Sequence, residues 1–148
     1  MVKFTASIVL LAIAALSSAA PVTQEAAAPS ADPEIQAADV FSSSVKYDGK
    51  ATWFTDSYGS CNINWNGNDE PIVALNAHQM GAQSWGNPAC GREVQIINKS
   101  NGKTVQARIV DKCPGDECAF GSLDLSPAAF KQIGDLSTGI LNIEWHYV

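Results

Sequence analysis

From residue 45 to the C-terminus, apolar residues recur at every second position in short runs separated by Gly, Asn, Ser and Asp. That period commits the region to strands, since a helix would space them at three and four. Gly49–Thr55 (GKATWFT) and Pro71–Leu75 (PIVAL) each predict a strand, and Asn76 is placed to cap a short helical turn running to Met80. Glu93–Asn98 and Lys103–Asp111 predict a hairpin around Lys99-Ser100-Asn101-Gly102, whose Asn-Gly pair favours left-handed turn residues. Gly139–Val148 predicts the last strand, with Leu141, Ile143, Trp145 and Tyr147 on one face. One helix is clear: Ser126 as N-cap, Pro127 in the first position, Ala128–Ile133 following and Gly134 ending it. Five or six strands with one or two short helices predict a mainly β domain, a small closed barrel rather than a sandwich.

The residues before this domain have other compositions. In residues 1–20, Lys3 precedes the apolar run Ser7–Leu16 and small residues follow from Ser17 to Ala20, as in a secretory signal peptide cleaved after Ala19 or Ala20. The run is too short to span a bilayer, and no later segment is apolar enough, so no membrane partner is expected. Residues 21–44 are rich in Ala, Pro and Ser and carry Glu25, Asp32, Glu34 and Asp39 without Lys or Arg, which predicts a disordered acidic leader. The folded domain is then 45–148. The formal charge of −6 and pI near 4.7 exclude a nucleic-acid binder. Most of that net charge belongs to the leader.

The four cysteines are even in number and on a secretory route, so pairing is expected, with three connectivities open. Pairing of neighbours, Cys61 with Cys90 and Cys113 with Cys118, is the expectation. On loop entropy alone these would contribute roughly 3.6 and 2.2 kcal/mol. The rival is a metal site built on Cys113 and Cys118 with His78 or His146. A closed site needs four ligands at close spacing, so no metal and no cofactor is expected.

Two segments carry chemistry: Ala107–Cys118 (ARIVDKCPGDEC), which holds Asp111, and Ser122–Phe130 (SLDLSPAAF), which holds Asp124. Paired carboxylates in one cleft cleave glycosides, one as acid and the other as base or nucleophile. A local reading also stands, in which Asp111 caps the disulfide loop and Asp124 accepts from nearby amides.

The order GKATWF, VAL before a short turn, CG before the hairpin, RIVDKCPG, LDLSPAAFKQIG and GILNIEW resembles the double-psi β-barrel of the expansin and RlpA-like group over nearly all of residues 49–148. A lone barrel behind an export signal looks most like the loosenins, small single-domain expansin-like proteins of fungi. The resemblance implies a six-stranded double-psi β-barrel with one or two short helices. It implies that Asp124 is the Asp required for wall loosening, the general acid of related endoglucanases, and that Asp111 is the Asp of the VD element. Thr52 and Trp53 match the groove-lining pair of the first strand. The chain departs from the family in two places, and the first argues against hydrolysis. Thr55 stands where the endoglucanases carry their base, with Asp56 one residue later and so expected on the other face of the strand, and Cys113 replaces the family's Tyr. The implied function is secreted, monomeric and non-hydrolytic: binding and loosening of cellulose, chitin or a related cell-wall glycan. A glycan-cleaving enzyme, either a lytic transglycosylase or endoglucanase-like, is one alternative. A secreted protease-inhibitor-like binding protein is another.

Tyr58, Trp65 and Trp85 lie in Gly/Asn-rich stretches and are candidate sugar-stacking residues or core, whereas Trp145 is expected in the core. Asn98-Lys99-Ser100 is a glycosylation sequon. His78 and His146 are expected to satisfy local hydrogen bonds.

Overall fold

Alternation in the sequence becomes alternation of burial in a computed structural model, which describes residues 40–148. The expected export signal and most of the expected leader lie outside the described residues. The strands are β1 (Tyr47–Trp53), β2 (Ile72–Asn76), β3 (Glu93–Asn98), β4 (Thr104–Cys113), β5 (Leu123–Leu125) and β6 (Leu141–Tyr147). Helix α1 (Ala77–Met80) follows β2, α2 (Pro127–Ile133) follows β5, and a 3-10 turn spans Leu136–Thr138. The strands close into a barrel in the order β1-β5-β2-β4-β3-β6. Two pairs, β1 with β5 and β2 with β4, run parallel, and the rest are antiparallel. This is the expected mainly β, six-stranded barrel with two short helices.

The barrel interior takes the inward half of each strand. On β6, Leu141, Ile143, Trp145 and Tyr147 are buried while Asn142 faces out. They meet Val73 and Leu75, Val94 and Ile96, Ile109, Leu123 and Leu125, with Phe130 and Ile133 of α2 closing one side. Ser126 joins that helix to the sheet. Its Oγ accepts from Ala129 N at 3.2 Å as the N-cap and from Ile72 N at 3.1 Å, and it donates to Glu70 O at 2.7 Å.

The chain crosses itself where β1 passes the approach to β5, and the crossing requires two glycines. A Cβ on Gly49 would lie 2.1 Å from Gly121 O, and one on Gly121 would lie 2.1 Å from Asp48 O. Gly121 also has φ +81° and accepts from Trp145 Nε1 at 2.8 Å.

The cysteines pair as Cys61–Cys90 and Cys113–Cys118. That fits an oxidising route and leaves no thiol among them for a metal. Packing begins before residue 45. Phe41 stands edge-on to Tyr147 at 4.9 Å, Arg92 stacks its guanidinium 4.0 Å from the Phe41 ring, and Tyr47 donates to Val40 O at 3.2 Å. No helix among the described residues is long and apolar enough to cross a membrane.

Candidate functional site

β2 lies between β4 and β5, and this places the two acids. Val73 and Leu75 point into the core, so Ala74 between them faces the outside of the barrel. Ala74 is in register with Asp124 on one side and with Asp111 on the other, and Thr52 is in register with Asp124. Cross-strand partners share a face, so Thr52, Asp124, Ala74 and Asp111 form one row across four strands. Asp111 reaches that face through a register shift: Val73 pairs with Ile109 but Ala74 with Asp111, which skips Val110. Two interstrand spacings separate the acids' backbones, about 9.6 Å. Ala74, the Cys113–Cys118 disulfide and Phe54 make an apolar floor between them.

The acids are held differently. Asp124 is half-buried, and its Oδ1 accepts from Thr52 Oγ1 at 2.6 Å. Burial pushes its carboxyl above the usual carboxylate range, the Thr52 hydrogen bond opposes that, and the negative charges of Glu117, Asp111 and Asp56 add to the rise. Such a carboxyl is poised to hold or donate a proton. Asp111 Oδ1 instead accepts from Ser60 N at 2.7 Å, Ser60 Oγ at 2.9 Å and Lys112 N at 2.7 Å. A Cβ on Gly59 would lie 2.2 Å from its carboxyl carbon, so the turn at Gly59 is pressed onto the acid.

Two of the exposed aromatics lie beside the Gly59-Ser60 turn that Asp111 holds. Tyr58 and Trp85, 57% and 73% exposed, border an open hollow of about 700 Å³ with Gly59, Ser60 and Asn62. Tyr58 donates to Asn62 Oδ1 at 2.5 Å. Thr52 itself lines a smaller hollow of about 150 Å³, with Lys50, Glu117, Ser122 and Ile140.

Three expectations need correction. Trp65 is only 5% exposed, edge-on to Phe54 and packed with Ile72 and Val110, so it offers no free ring face to a sugar. Trp53 stands on the face of β1 opposite Thr52 and donates from Nε1 to Leu136 O at 3.1 Å, which sets it apart from the row. Asn98 is 2% exposed, with Nδ2 donating to Ile133 O at 2.8 Å and Oδ1 accepting from Ser100 N at 2.9 Å. A glycan cannot be accommodated on that amide in the folded chain. The face-switch expected of Asp56 also lapses, because β1 ends at Trp53 and strand alternation stops there. Asp56 instead adds its charge to the field at Asp124.

Of the histidines, His78 Nε2 lies 3.1 Å from Gly115 O, and His146 stands opposite Gln95. No cluster of three His, Cys, Asp or Glu able to hold a metal occurs among the described residues. Ser60, Gly59 and Glu117 escaped the sequence reading. The GS pair before Cys61 was its only trace, since the acid it serves is 51 positions away.

A papain inhibitor of Streptomyces mobaraensis is 33% identical over 105 residues, 70% of this chain and 72% of that protein. The solved Streptomyces papain inhibitor superposes with a TM-score of 0.62 at 32% identity, over 70% of this chain and 94% of that one. An expansin from Clavibacter michiganensis, solved as a variant in complex with cellohexaose, superposes with a TM-score of 0.58 at 28% identity. It is covered over 50% of its length, against 70% of this chain. The chain spans 38% of an Arthroderma benhamiae homologue of the allergen Asp f 7, so some relatives are much longer. Residues 46–145 match the double-psi β-barrel family described as lytic transglycolase. With the six-stranded closed barrel, the two parallel pairs and the Thr52–Asp124 row in place, the chain belongs to that RlpA-like double-psi β-barrel family, alongside the expansins.

Proposed function

We propose that the chain is a secreted, monomeric, expansin-like protein of the loosenin kind, which binds an extended cell-wall polysaccharide, cellulose or chitin, and loosens it without cleaving it. The observation that carries this reading is the row itself. A half-buried acid anchored by Thr52 lies on the outside of the barrel in one row with Asp111, whose partner Ser60 borders the hollow of the exposed Tyr58 and Trp85. Rings stack on sugar faces, and the polar end of the row, Thr52 and Asp124, offers contacts to an extended chain. Export rests on the signal-like residues 1–20 and accords with two disulfides.

The chemistry follows from how each acid is held. Asp124, with its raised proton affinity, donates to a glycan hydroxyl or bridging oxygen. Cleavage by water needs a second carboxylate free to activate it, and three donors already converge on the Asp111 oxygen Oδ1. Binding then competes with hydrogen bonds between packed glycan chains. Each of those nets only about 0.5–1.5 kcal/mol, so a few contacts suffice to part chains locally.

A second reading has its own support. The papain inhibitor is matched over nearly its whole length, which favours a protein partner such as a cysteine protease. One set of incubations separates the readings. With cellulose or chitin, fibre swelling and faster cellulase or chitinase digestion without released sugar are expected. Soluble sugars would mean an enzyme instead. Inhibition of papain with neither effect on fibres would support the second reading.

A further inference from the structure

We infer that the end of β4 is a clamp: Asp111 and Lys112 hold the two aromatic-bearing loops in place, so Asp111 is a positioning residue and not a proton-transferring one. The functional half of this inference rests on the glycan reading above.

The three residues Asp111-Lys112-Cys113 each reach a different loop. Asp111 takes the turn after β1, through Ser60 N and Ser60 Oγ. Lys112 takes the loop after α1, its Nζ donating to Ala82 O at 3.0 Å. Cys113 takes the following loop through its disulfide to Cys118. The first two loops carry Tyr58 and Trp85, and Cys61–Cys90 bonds one to the other.

Both rings need such support. Each is more exposed than buried, so packing does little to hold either one. What orders the turn at Tyr58 is polar and local: Ser60 on Asp111, Cys61 N donating to Val110 O at 3.3 Å, and Tyr58 Oη on Asn62 Oδ1. What orders the loop of Trp85 is Asn87 Nδ2 donating to Met80 O at 2.7 Å and Gln83 O at 2.9 Å, with Gln83 Nε2 donating to Trp85 O at 3.2 Å. A rigid ring loses less freedom on binding than a mobile one, so anchoring these loops raises affinity without touching the glycan. Three hydrogen bonds converge on one Asp111 oxygen. Gly59 completes the clamp, because any side chain there would occupy the space of the Asp111 carboxyl.

The test uses Asp111→Asn, Asp111→Ala, Gly59→Ala and Lys112→Ala. It reads amide hydrogen exchange over residues 57–62 and 82–90 and titration with cellohexaose and chitohexaose. Asp111→Ala and Gly59→Ala should speed exchange in 57–62 by about tenfold or more and weaken binding by a similar factor. Lys112→Ala should loosen 82–90 first. Asp111→Asn keeps an acceptor oxygen for Ser60 and should stay within about threefold of the parent in both readouts. Loss of binding in Asp111→Asn with exchange at parental protection would overturn the inference, since the carboxyl itself would then be required. Should Asp111→Ala not fold, Gly59→Ala and Asp111→Asn decide the matter. If the parent binds neither oligosaccharide, the glycan reading fails on that result alone, and the exchange pattern still judges the clamp.

Discussion

Asp124 is where stability and function pull apart at the residue scale. Its carboxyl binds a proton more tightly in the fold than in the unfolded chain, chiefly because it is half-buried. Its contribution to stability is therefore complete below the ordinary carboxylate range and is lost as pH rises through the raised folded value. Once ionised, the half-buried acid costs stability. Asp124→Asn keeps an acceptor for Thr52 and removes the charge, so calorimetry should show a higher Tm than the parent at pH 7 and a gap that closes toward pH 3. Fibre loosening should be absent in the same variant. A parent that melts above the variant at pH 7 would refute the assignment. The two exposed and buried tryptophans make a sharper pair. Trp85→Ala should weaken oligosaccharide binding by about tenfold with Tm unchanged, as for an exposed anchor. Trp65→Ala should instead cost about 3–5 kcal/mol in chemical unfolding, as for a buried ring. Nothing near these residues distinguishes them in the sequence, because both sit among Gly and Asn. The difference comes from Ile72 of β2, Val110 of β4 and Phe54 just after β1, which pack on Trp65.

Elements were legible in proportion to the length of their pattern. The seven residues of β6 alternate throughout, the Asn101-Gly102 tip marked the β3–β4 hairpin, and Ser126-Pro127 marked the start of α2. β5 is three residues long, too short to show a period, and only its Leu-Asp-Leu flanking of Asp124 hinted at it. The register shift opposite Ala74 was illegible for a physical reason. A strict two-residue period assigns Asp111 the same face as Ile109, and only the skipped Val110 turns it outward. The sequence therefore named both acids of the row without showing that they share a face. Ser126 makes the element scale testable. It caps α2 and satisfies the buried Ile72 N, so Ser126→Ala leaves two buried donors short of an acceptor. A loss of about 2–3 kcal/mol is expected in denaturant unfolding. A loss under about 0.5 kcal/mol would mean the helix is held by packing alone.

For the whole molecule, the question is where the domain begins, because a closed barrel is only as sound as its last seam. β1 closes the barrel by pairing with both β5 and β6, and the residues just before it lie over the end of β6. Composition alone assigns Phe41 to the acidic leader, since one aromatic among Ser, Ala and Asp carries no period. In the fold, Phe41 covers Tyr147 and carries the Arg92 guanidinium on its other contact, while Val40 O accepts from Tyr47. A partly buried Phe of this kind is worth about 1–2 kcal/mol, counting apolar area and the edge-on pair. Each kcal/mol shifts Tm by about 4–8 °C in a domain near 100 residues. A chain starting at Val45 should therefore melt at least about 4 °C below one starting at Val40. Phe41→Ala in the longer chain should account for most of that gap, because the rest of the segment contributes mainly one backbone acceptor. Equal melting of the two chains would place the boundary at residue 45 and make the Phe41 contact incidental. A gap that Phe41→Ala does not reproduce would move the credit to the Tyr47–Val40 bond.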